Sequence, residues 1–192
     1  MAVALVLDFP GGTQEKYDEV VERMHLDGRM APGGQVHVAG PHADGFRVID
    51  VWDGMDAFER FRDEQIIPHT QAVGLVPPKV RVLEVDDAMP HDGGTATFAQ
   101  YVFLPGLDRP AFRAIHADVV PGGARPDGCT FHVNGPAEGG WCVIDGWVSK
   151  ERRDTFMERT SQIIQNGPLT GPPTVEELDV TATMAGVAAA HV

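Results

Sequence analysis

The five residues HVAGP at 37–41 return as HVNGP at 132–136, 95 residues further along a chain of 192. The same offset, without a gap, pairs Pro10 with Pro105, Gly33 with Gly128, Asp50 with Asp145, Trp52 with Trp147 and Phe61 with Phe156. It continues to Pro77-Pro78 and Pro172-Pro173, then to Val85 and Val180. A self-match of this length is the mark of a duplicated domain rather than of a solenoid turn. Any fold for this chain must therefore be one unit that works twice. The division expected is residues 1–88, a linker at 89–94, residues 95–182 and a tail at 183–192. Each half is small for a core of its own, so the halves are expected to bury surface against each other.

Each half reads as β-α-β-β-α-β. AVALVLDF (2–9) is an apolar run closed by PGG. Thr13 is placed as an N-cap, followed by Tyr17, Val20, Val21 and Met24 at helical spacing. QVHVAG (35–40) and FRVIDVW (46–52) alternate as strands around PHADG. A second helix carries Met55, Phe58 and Phe61 and meets Pro68, which is expected to break or kink it. The second half follows suit. Asp108 caps its first helix with Pro110 just inside, and Ser149 caps its second. This is the ferredoxin-like plan, an antiparallel sheet with its helices on one face. The fold class expected is α+β, two such units packed sheet to sheet within one chain.

Composition narrows the partners. The net charge is −13, which disfavours nucleic acid and anionic membrane surfaces. No apolar run is long enough to span a bilayer. The opening residues read as a first strand, not a signal peptide. Cys129 and Cys142 suit a reducing cytoplasm and have no metal-site spacing. With a turn at 40–45 they stand on strands in a register that keeps them apart, so no disulfide is expected.

The same register sorts the hairpin faces. Gln35, His37, Ala39, Phe46, Val48, Asp50 and Trp52 share one face. Val36, Val38, Ile49 and Val51 share the other, which is expected under the helices, with Arg47 the exception. In the second half the mixed face carries Thr130, His132, Asn134, Trp141, Val143, Asp145 and Trp147. Apolar bulk with a few placed polar groups is what a small-molecule pocket needs, so this face is expected to line a space between the sheets. His37 and His132 are the candidate bases, able to take a proton from a phenol or enol. Asp50 and Asp145 are inward carboxylates that orient them or act themselves. The competing reading is that each holds a strand or loop together. His69 has Ile164 at its counterpart and is a third candidate. Trp52, Trp147, Phe46, Trp141, Asn134, Gln35 and Tyr101 are candidate substrate contacts, with only one of Gln100 and Tyr101 able to line a pocket. His116, on a helix's apolar stripe, reads as a satisfied core histidine. No metal cluster, phosphate loop or nucleophile elbow is present.

The tandem plan, the VIDVW and VIDGW strands and the helix DAFERF (56–61) resemble the dimeric α+β barrel superfamily, in its antibiotic-biosynthesis-monooxygenase-like branch. The resemblance covers nearly the whole chain. It implies a cytoplasmic enzyme of secondary metabolism, a monomer or homodimer, acting without cofactor on an aromatic or polyketide-like molecule. A histidine would deprotonate a phenol and the anion would meet dioxygen. The family also implies alternatives: a haem-binding protein using His69, a cyclase or lyase on the same scaffold, or a metabolite-binding module without catalysis. Differences at Gln35/Thr130, Ala39/Asn134 and His69/Ile164 lead to the expectation of one dominant pocket with contributions from both halves.

Overall fold

The computed structural model describes residues 1–186. They form two compact units, one of residues 1–82 with those from 178 onward and one of residues 83–177. The first half runs β1 (Val3–Pro10), α1 (Gln14–Met24), β2 (Gly34–His42), β3 (Gly45–Trp52), α2 (Met55–Phe61), a π-helical segment (Arg62–Ile66), α3 (Ile67–Ala72) and β4 (Lys79–Glu84). The second runs β5 (Asp87–Met89), β6 (Phe98–Pro105), α4 (Arg109–Val119), β7 (Cys129–Ala137), β8 (Gly140–Trp147), α5 (Lys150–Gln165), β9 (Thr174–Asp179) and β10 (Ala182–Ala185). The fold is α+β, with two antiparallel five-stranded sheets ordered β10-β2-β3-β1-β4 and β5-β7-β8-β6-β9. Among the described residues no helix is long and apolar enough to cross a membrane.

Local chemistry accounts for the helices. Thr13 accepts a hydrogen bond from Lys16 N, Asp108 from Ala111 N at 2.9 Å and Ser149 from Arg152 N, each satisfying one orphan amide of a first turn. Pro68 acts in an unforeseen way. The π-helical residues 62–66 absorb the break, and α3 restarts with the proline in its first turn, where a missing N–H costs nothing. Ile163 holds the corresponding place in α5, which runs unbroken for 16 residues.

The hairpin pairing is shifted by two residues from the one the spacing suggested. His37 pairs with Asp50, Ala39 with Val48 and Pro41 with Phe46. His132 pairs with Asp145 in the same way, and Cys142 stands opposite Gly135 rather than Val133. A slip of two keeps every face, but each ladder also carries a bulge, at Gln35 and at Thr130, that resets the residues before it. Cys129 and Cys142 are both buried, on separate stretches of the β7–β8 ladder, where Cys129 pairs with Trp147 and Cys142 with Gly135.

The glycine of HVAGP and HVNGP has a steric role. Thr181 N donates to Ala39 O and Asp86 N to Asn134 O, both at 2.8 Å, seating the segments that lead into β10 and β5. A Cβ on Gly40 would stand 2.0 Å from Asp179 O, and one on Gly135 1.9 Å from Glu84 O. Neither position tolerates a side chain. Edge strands at Asp87–Met89 and Ala182–Ala185 thus straddle the boundaries expected for the linker and the tail, while residues 187–192 of the tail lie outside the described residues. Gly40→Ala and Gly135→Ala are each expected to cost about 1–3 kcal/mol through forced backbone displacement, lowering the melting temperature by about 2–4 °C per kcal/mol. Gly171→Ala, whose nearest neighbour is a proline ring carbon 3.7 Å away, is the control and should melt as the wild type does.

Candidate functional site

The mixed faces of the two hairpins lie under the helices, which reverses the expected orientation. His37 and Asp50 share a cavity wall with Val20, Val21 and Met24 of α1, and His132 and Asp145 share one with Phe112, Ile115 and Val119 of α4. Val36, Val38, Ile49 and Val51, on the opposite face, are 0–2 % exposed, as Ala39 and Trp52 of the mixed face also are, so both faces of the sheet are buried. The face with polar groups keeps a cavity, and the helix above it supplies partners. Each unit has its own cavity, of about 70 and 80 Å³.

In the first unit, His37 Nδ1 lies 2.7 Å from Asp50 Oδ1 and Nε2 lies 2.8 Å from the Tyr17 hydroxyl. A carboxylate only accepts, so the imidazole carries its proton on Nδ1 and turns the Nε2 lone pair to Tyr17. Asp50 is 3 % exposed. Burial, with Asp50 nearby, pushes the Tyr17 phenol well above its ordinary range. Tyr17 stacks on Phe46 at 4.9 Å between ring centres. Beyond this chain the wall is apolar and includes Met24, Met30 and Met184.

The second unit keeps the histidine–aspartate pair and changes its surroundings. His132 Nδ1 lies 2.5 Å from Asp145 Oδ1, and Gln100 Nε2 donates to Asp145 Oδ2 at 3.0 Å. Trp141 Nε1, which can only donate, reaches Asn134 Oδ1 at 3.0 Å. That fixes the amide, so Asn134 Nδ2 is the group 3.0 Å from His132 Nε2. The Nε2 lone pair is held by an amide that cannot pass on a proton. His116 tilts against His132 at 5.3 Å and its Nε2 has no partner, so it is not the satisfied core histidine expected. Burial and the neighbouring His132 lower its pKa. Burial pushes the Cys129 thiol well above its usual range.

Several candidates fall outside these cavities. Gln35, in its bulge, bonds Asp53 at 2.7 Å. Tyr101 lies on the opposite sheet face, with its hydroxyl 2.7 Å from Cys142 Sγ, and Gln100 takes the cavity side. His69 faces Gln65 at 3.2 Å and is not on the cavity wall. Trp52 packs against Phe58 and Phe61 behind the first cavity, while Trp147 lines the second. Trp141 and Asn134 serve His132 rather than open space. Tyr17 is the residue missed. Its counterpart is Phe112, and that one-hydroxyl difference was the available signal. The fit to haem is poor: His69 is turned away, and both nitrogens of His37 are engaged. Among the described residues no group of three or more His, Cys, Asp or Glu is set to hold a metal ion.

No family model matches the chain, and no curated protein does. Solved structures do. A "Putative monooxygenase" of Fusobacterium nucleatum superposes with a TM-score of 0.72 at 14% identity, covering 97% of this chain and 96% of that one. A "putative monooxygenase" of Lactobacillus acidophilus gives 0.67 at 11% identity, covering 96% and 97%. A heme-binding protein of Thermus thermophilus gives 0.57 at 11% identity, covering 93% and 90%. At such identities the likeness is one of fold, and these neighbours are of the dimeric α+β barrel type.

Proposed function

We propose that the first unit is a base-assisted, cofactor-independent monooxygenase site for a small phenolic substrate. The observation that carries this reading is the hydrogen-bonded chain Tyr17–His37–Asp50 at an apolar cavity. A hydroxyl both donates and accepts. A substrate O–H can therefore pass its proton to Tyr17 O as Tyr17 passes its own to His37 Nε2, or meet Nε2 directly if the ring swings aside. Asp50 holds the imidazolium that results. Because the Tyr17 phenol is driven upward, a standing tyrosinate is disfavoured and the transfer is concerted. The substrate anion, in dry surroundings, reacts with dioxygen. One oxygen atom enters the ring carbon as a carbonyl, the other leaves as water, and the broken C–H and O–H bonds supply the electrons and protons. The unit contributes orientation, water exclusion and a base. The flexible methionines let a tight cavity open around a single ring.

We further propose that the two units descend from one by duplication in a cytoplasmic enzyme, and that only the first retains the base. Oxygen uptake with a panel of phenols in chelator-treated buffer tests this. His37→Ala is expected to lower kcat about 10²–10⁴-fold, and His132→Ala to leave it within a few-fold. Equal losses in both variants would overturn the assignment. Turnover that persists without oxygen would make the site a cyclase or lyase. Absence of a Soret shift with haemin is also expected, and a shift lost in His69→Ala would revive haem.

The chain holds two tyrosines, Tyr17 and Tyr101. In an absorbance titration of tyrosinate, Tyr17 should ionise at higher pH than an ordinary tyrosine, until the fold is lost. Tyr17→Phe should delete that late step and slow turnover less than His37→Ala does, since the substrate can still reach Nε2.

A further inference from the structure

Beside the second cavity lies a cleft of about 290 Å³ whose wall includes Arg125, Arg152 and Arg159. The cavity and the cleft adjoin, and Val119, Val120, Pro126 and Phe156 line both. One carboxylate, Asp127, lines the cleft and pairs with Arg152 at 2.5 Å. Arg125 is tied to the carbonyls of Pro90 and Cys129. Arg159 is exposed and makes no hydrogen bond or ion pair among the described residues. Three guanidiniums against one carboxylate form a local positive field on a chain of net charge −13. The first unit has nothing of the kind: the matching positions hold Met30, Ala57 and Glu64.

The cavity behind the cleft offers a second, independent sign of a ligand. Gln100 is 3 % exposed and lines the cavity. Its Nε2 is spent on Asp145, and its Oε1 is buried without a partner. An orphaned buried acceptor costs about 1–3 kcal/mol unless something donates to it. Trp147, on the same wall, has an unpartnered indole N–H.

We infer that the second unit binds a small hydroxyaryl carboxylate, its acid group held by Arg159 and Arg152 in the cleft and its hydroxyl donated to Gln100 in the cavity. Guanidinium and carboxylate match as planar forks. Because Asn134 holds Nε2 of His132, the ligand is bound without being deprotonated there. The inference does not depend on turnover in the first unit.

The probe is 3-(4-hydroxyphenyl)propanoate, with its methyl ester as the uncharged control, titrated by calorimetry into the whole chain. The acid should bind with a stoichiometry of one and weaken as salt rises. Arg159→Glu should weaken it about tenfold or more, which corresponds to about 1.4 kcal/mol. Gln100→Leu should weaken the hydroxylated acid more than 3-phenylpropanoate, and His37→Ala should change nothing. Equal affinity for acid and ester, indifference to Arg159→Glu, or no binding of the acid at millimolar concentration would each overturn the proposal. Loss of binding in His37→Ala would place the probe in the first unit and overturn it too.

Discussion

A histidine on one strand faces an aspartate on the next, and this cross-strand pair sets the chemistry of both units. His37–Asp50 and His132–Asp145 are directly opposed in their ladders, so sheet register alone brings imidazole and carboxylate to hydrogen-bonding distance. Buried carboxylates need donors, and the imidazole Nδ1–H is one. Once that bond forms, the tautomer is settled and Nε2 must point its lone pair at whatever the neighbouring helix or strand provides. The difference between the units is that provision. A hydroxyl can relay a proton. An amide locked by an indole cannot.

The bulges protect this arrangement. Each absorbs an extra residue just before the histidine, so that Gln35 and Thr130 take the irregularity while His37 and His132 stay in register. The glycines at 40 and 135 do the same work after the histidine. They let another segment's backbone come close without shifting the strand.

Much of this was legible in the sequence. The β-α-β-β-α-β order of each half and the capping residues Thr13, Asp108 and Ser149 follow from spacing and side-chain chemistry, and the structure has them, with the edge strands β5 and β10 added. The sharing of a face by His37 and Asp50 survived a two-residue error in register because strand periodicity is two. Which face meets the helices was not legible. A rule that sends the more apolar face beneath the helices fails when both faces are buried, as Val38 and Ala39 are, each at 0 % exposure. Gln35 was misplaced because a bulge leaves no compositional trace. In the sequence Tyr17 is one more apolar contact on α1, since its hydroxyl has meaning only against His37.

Both histidine–aspartate pairs sit on a single polypeptide, and this bears on how such a protein can change. In an assembly of identical subunits, a mutation in the coding sequence alters every copy of a site at once, so a base lost is lost everywhere. Here Ala39 and Asn134 are separate codons, as are Tyr17 and Phe112 and also Glu64 and Arg159. The lining of one cavity can change while that of the other stays unaltered, and selection can act on each independently.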